Sequence, residues 1–122
     1  MAIKEVEQKN DCDSKQKEIC PKFERTFSIL GKKWMGLIID VLLEGPQRFK
    51  HIAATIPNVS DRVLVERLKE LEQEGLVLRT VDPNATMRVA YSLTNKGKDL
   101  KDVMKAVQIW ADVWVCEEDP NF

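Results

Sequence analysis

The chain has 122 residues, 43% of them apolar and 32% charged, enough for one hydrophobic core and too short for two ordinary domains. No apolar run approaches the length of a bilayer span, and the polar start has no apolar stretch of the kind a secretory signal needs. The three cysteines and single histidine offer neither a zinc-type pair nor an even thiol set for a secreted disulfide framework. We therefore expect a cytoplasmic protein with no membrane segment, metal or cofactor.

Residues 1–18 mix Glu, Asp, Lys and Gln with almost nothing apolar, and read as a flexible polar arm. Pro21 then stands at a favoured first helical position, and Phe23, Phe27 and Leu30 recur at helical spacing up to Gly31. Cys20 is the expected N-cap. Its sulfur would lie beside unpaired backbone amides at the positive end of the helix dipole, with Lys22 and Arg25 favouring thiolate and Glu18 and Glu24 opposing it.

A second stripe, Trp34, Leu37, Ile38, Val41 and Leu42, stops at Gly45-Pro46, and a shorter one runs through Phe49, Ile52, Ala53 and Ile56 to Pro57-Asn58. Ser60 offers an N-cap to a helix striped by Leu64, Leu68 and Leu71, with Gly75 as its C-terminal stop. The period then changes to two in "LVLRTV" and "MRVAYSL", joined by "DPNA", which is a hairpin. Thr94 caps a last long helix with one face of Leu100, Val103, Met104, Val107, Trp110, Ala111 and Trp114.

Four helices, a hairpin and a helix give an α+β fold, mainly α: a winged helix-turn-helix flanked by terminal helices suited to dimerisation. The expected domain occupies residues 19–116, and residues 117–122 form an acidic tail. Net charge is −1, yet without Glu117, Glu118 and Asp119 the formal charge of the remainder rises to +2. The distribution of charge thus leaves room for phosphate binding.

In such a fold the second helix of the motif lies in the major groove. Opposite the leucine stripe stand Arg62, Glu66, Lys69 and Gln73, with Ser60 at the helix start, so Arg62 is placed to reach guanine and Lys69 phosphate. Arg48 and Lys50 open the preceding helix and suit backbone contacts. Arg79, Arg88 and Asn84 belong to the wing. Each of these also fits an ordinary solvated surface. Arg67 falls within the apolar stripe, and we expect it partly buried against a carboxylate or backbone carbonyl. Trp110 and Trp114, one turn apart near the terminus, point to a partner surface; a two-fold dimer would set two recognition helices about 34 Å apart on a palindrome. No glycine-rich phosphate loop, GxSxG or spaced carboxylate and histidine set supports an enzyme.

Read together, "CP" at Cys20-Pro21, "GKKW" at Gly31 to Trp34, "GPQRF" at Gly45 to Phe49, "SxxxLxxRLxxLExxGLVxR" from Ser60 to Arg79 and "YSLTxxG" from Tyr91 to Gly97 resemble the HxlR-type (DUF24-type) family of bacterial winged-helix transcriptional regulators, relatives of the MarR group. The resemblance implies a homodimer on double-stranded DNA, commonly a repressor. Its fourth helix reads the operator, its hairpin is the wing, and its terminal helices pair the subunits, here through Phe23, Phe27, Val103, Val107, Trp110 and Trp114. It also implies that the cysteine at the position of Cys20 senses oxidants, quinones or other electrophiles in many members, sometimes with a second cysteine of the other subunit; the sequence does not say whether Cys12 or Cys116 takes that place. Ala90, where glutamate is frequent, and "NATM" in the wing depart from the pattern. Two other readings stay open: a regulator answering a small ligand or no thiol signal, and a winged-helix protein-interaction module.

Overall fold

The computed structural model describes residues 18–84 and 88–120. The expected arm, except for Glu18, and residues 85–87 at the wing tip lie outside them, as do the last two residues of the acidic tail. The elements are α1 (Pro21–Leu30), α2 (Met35–Leu42), β1 (Gln47–Arg48), α3 (Phe49–Thr55), α4 (Asp61–Gln73), β2 (Val77–Asp82), β3 (Arg88–Leu93), α5 (Asn95–Lys98) and α6 (Lys101–Trp114). α3, α4 and the β2–β3 hairpin form the winged helix-turn-helix.

The core is assembled where the apolar stripes meet. Ile38, Ile39 and Leu42 of α2, Ile52 of α3 and Leu64, Leu68 and Leu71 of α4 are buried, and Leu76, Val77, Tyr91 and Leu93 close the core from the hairpin. Burying one such aliphatic side chain fully is worth about 1.5–3 kcal/mol relative to leaving it exposed. The core therefore fixes α4 along its whole inner face. Ser60 caps α4, its Oγ accepting from the Val63 amide at 3.1 Å. Gly75 ends the helix at φ 78°, a left-handed conformation open to glycine at little cost.

Three features differ from the sequence reading. The α2 stripe is turned, because Trp34 takes a left-handed φ of 78° as the N-cap and the helix starts at Met35. Met35, Ile38, Ile39 and Leu42 then share the inner face at helical spacing, and Leu37 is left 52% exposed. Arg48, expected to open the helix of the motif with Lys50, instead pairs with Gln47 in a short third strand antiparallel to β3, Gln47 opposite Tyr91 and Arg48 opposite Ala90, so the sheet order is β1-β3-β2. Two residues are too few to show a period of two.

The last helix is also divided. Thr94 caps α5 rather than α6: its Oγ1 accepts from the Gly97 amide at 3.1 Å and donates to the Gly75 carbonyl at 2.6 Å. Gly97 is packed so tightly that a Cβ would collide with the Leu76 carbonyl oxygen and crowd Leu93. This clamp ends the turn at Lys98, and α6 begins afresh after Leu100.

Candidate nucleic-acid interface and thiol site

With Leu64, Leu68 and Leu71 committed to the core, α4 turns Arg62, Glu66, Lys69 and Gln73 to solvent. The Ser60 hydroxyl accepts in its cap and keeps its own hydrogen for a further acceptor. Arg62 Nε stands 3.9 Å from Glu66 Oε2, with side chains 88% and 53% exposed. So long and exposed a pair restrains the guanidinium little. Val65, on the same side, is exposed although apolar, and a methyl-bearing residue there can pack against a thymine methyl. Sequence reading passed over Val65; its signal was an apolar residue one step off the leucine stripe.

Arg67 lies as expected from the stripe. Its Nε donates to the Lys33 carbonyl at 3.1 Å and its Nη1 to Glu70 Oε1 at 3.2 Å. It is a structural tie rather than an outward-facing base reader.

Strand register sorts the remaining arginines. Residues directly opposite in an antiparallel pair share a face, and Thr80 faces Ala90, Asp82 faces Arg88, and Arg79 faces Tyr91. Because Arg48 also faces Ala90, Arg48, Thr80, Asp82 and Arg88 line one side of the sheet. Arg79 lies on the other, with Val77 and Tyr91. The two wing arginines therefore stand on opposite faces of the sheet. Asn84 at the described edge of the wing is exposed, and its amide donates to Asp82 Oδ1 at 2.9 Å.

Arg48 is the backbone N-cap of α3. With Pro46, Gln47, Lys50 and His51 it lines an open cleft of about 630 Å³. Gln47 Nε2 donates to the Val41 carbonyl at 2.6 Å, while its buried Oε1 has no hydrogen-bond partner among the described residues. His51 joins two cations at this surface. As the chain's single histidine it was weighed for metal binding and not for this surface.

Cys20 is the N-cap of α1 at φ −74°, ψ 120°, and its Sγ accepts from the Phe23 amide at 3.5 Å. The sulfur is in disulfide form. Cys116 is a free, exposed thiol, and Cys12 lies outside the described residues. From Cys20 the helix presents Phe23 and Phe27, ring centroids 4.9 Å apart, to solvent. On α6, Val103, Val107, Trp110 and Trp114 are exposed, and so are Ile109 and Val113, which lie off the expected stripe. Trp110 is 61% and Trp114 71% exposed, a large apolar surface for a small chain. Among the described residues no His, Cys, Asp and Glu cluster is arranged to hold a metal ion, and no helix is long and apolar enough to cross a membrane.

Comparison with known proteins gives the same architecture. The solved transcriptional regulator YodB from Bacillus subtilis superposes in its reduced form with a TM-score of 0.73 at 53% identity, covering 82% of this chain and 97% of that one. YodB has also been solved quinone-bound, with a TM-score of 0.70 at 52% identity over 79% of this chain and all of that one. The redox regulator HypR in its reduced form matches with a TM-score of 0.71 at 30% identity, over 75% of this chain and 91% of that one. The HTH-type transcriptional regulator YvaP of Bacillus subtilis is 50% identical over 107 residues, 88% of this chain and 96% of that protein. A family model described as HxlR-like helix-turn-helix matches residues 29–119, and with the winged helix-turn-helix built around α4 the chain belongs to the HxlR-type family of DNA-binding transcription regulators.

Proposed function

We propose that the protein is a homodimeric, cytoplasmic repressor that binds a palindromic operator, with an affinity set by the chemical state of Cys20. The observation that carries this reading is the contrast between α4 and the terminal helices. α4 is anchored along its inner face and polar outside, whereas Phe23, Phe27, Val103, Val107, Trp110 and Trp114 stand exposed on α1 and α6. A second copy is the economical cover for such a surface. Two-fold pairing through it would present two α4 helices at about one DNA turn, roughly 34 Å.

In this reading Arg62 and Val65 face bases, and Ser60, Lys69, Arg48 and Lys50 face phosphates. Glu66, held only loosely by Arg62, is free to accept from cytosine N4. Arg88 and Asn84 carry the wing, with Arg79 on its other face. Cys20 begins the helix that supplies half of the proposed interface, so a change at its sulfur acts where the subunits meet. A quinone adds the thiolate at a ring carbon and takes up a proton, giving a hydroquinone thioether from which nothing leaves. Diamide takes two electrons and two protons from a pair of thiols, which close into a disulfide. The quinone-bound and diamide-treated forms of YodB and the redox regulator HypR support a response of this kind.

The test is fluorescence anisotropy of the reduced protein with the duplex upstream of its own reading frame, over a salt series. A dimer engaging several phosphates should lose about a thousandfold or more in affinity between 50 and 200 mM salt. Absence of binding to any duplex at low salt would refute the reading and favour a protein-interaction module.

A further inference from the structure

The attachment of α1 to the rest of the molecule is uneven. None of its residues is buried, and only Ile29 and Leu30, in its last turn, pack against the core. Apolar contact holds that end and leaves the angle of the helix to other forces. Ionic contacts supply them, and they converge on the C-terminal half of α4. Arg25 Nη2 lies 2.6 Å from Glu74 Oε2. From the turn after α1, Lys32 Nζ lies 3.0 Å from Glu70 Oε2. The other oxygen of Glu70 accepts from Arg67 at 3.2 Å, and Arg67 reaches back to the Lys33 carbonyl at 3.1 Å.

These contacts surround a cleft of about 380 Å³ that includes Ile29 and Met35. Its cations and carboxylates are engaged with one another, which makes it a joint rather than a ligand site. The joint also grips a strained turn: Trp34, directly after Lys33, has φ 78°, a conformation costly for a bulky side chain. At the far end Lys96 Nζ donates to the Glu74 carbonyl at 2.6 Å, tying the end of α4 to α5. Exposed ion pairs add little stability. Several directed contacts across one joint do fix an orientation.

We infer that Arg25, Lys32, Arg67, Glu70 and Glu74 form a polar latch that sets the angle of α1 against α4, so that displacement of α1 at its Cys20 end re-aims the rigid, α4-bearing core relative to the partner subunit. The inference rests on the proposed reading of α4 as the DNA-reading helix and Cys20 as the sensor.

The experiment uses the full chain with Arg25→Glu, Glu74→Arg and the two exchanges together. Affinity for the upstream duplex is measured before and after diamide treatment, with the melting temperature alongside. Each single exchange is expected to change the affinity of the reduced protein about three- to tenfold and to blunt the diamide response, with little shift in melting temperature. The double exchange, which restores the pair with reversed polarity, is expected to restore both. Single variants that match the wild type in affinity and response overturn the latch, and so does a defect that persists in the double variant. A wild type that binds DNA yet ignores diamide defeats the sensing reading alone, and the reduced-state affinities still decide the latch. A wild type that binds no duplex defeats the proposed function and the latch with it, and is recognised because the unaltered chain fails first.

Discussion

The inner face of α4 and the outer faces of α1 and α6 are built from the same kinds of residue and meet opposite fates. Leu64, Leu68 and Leu71 are buried, while Phe23, Phe27, Val107 and Trp110 are not. One stripe is part of a finished core, and the others are surfaces that a single chain leaves in water. In the proposed reading the contrast separates two tasks: holding the DNA-reading helix rigid, and placing it relative to a second copy. A molecule divided this way can change the second without disturbing the first.

Substitutions on the buried and the exposed faces should have different consequences. The largest effect is expected in the core: Leu68→Ala should cost about 2–5 kcal/mol through lost burial and a residual cavity, read by urea unfolding. Trp110→Ala should leave the helical circular dichroism of the folded chain unchanged. It should weaken dimerisation by about 2 kcal/mol, roughly thirtyfold in the dissociation constant, as buried aromatic anchors do, which sedimentation equilibrium would show. If Trp110→Ala unfolds the chain instead, its face belongs to the fold and not to a partner. The smallest effect is expected at Ser60→Ala, which removes the cap on the Val63 amide and should cost about 1 kcal/mol of stability. It should also weaken DNA binding beyond what the lost stability explains, since the hydroxyl stands at the proposed phosphate contact.

How much of this was legible before the structure depends on the range of each interaction. Helix stripes repeat every three or four residues, so the buried faces of α3 and α4 could be read directly, as could Ser60 and Cys20 as N-caps. Arg67 was legible because a charged residue inside an apolar stripe must find a partner nearby. Interactions without a local period were not. The β1 strand is defined only by its pairing with β3, and the break between α5 and α6 follows from the packing of Gly97 against Leu76. The placement of Arg79 and Arg88 on opposite faces needed the register. The Arg25–Glu74 pair joins residues 49 positions apart, and neither residue is unusual in its own helix.

The central claim is that the state of Cys20 controls binding at a surface the sulfur does not itself form. Its most direct measurement is the affinity of the wild type and of Cys20→Ser for the upstream duplex, each reduced and then treated with a quinone. Both reduced proteins should bind within about threefold of each other, and the quinone should shift the wild type at least tenfold and leave Cys20→Ser unchanged. An equal response of the two proteins, or no response of the wild type, would contradict it.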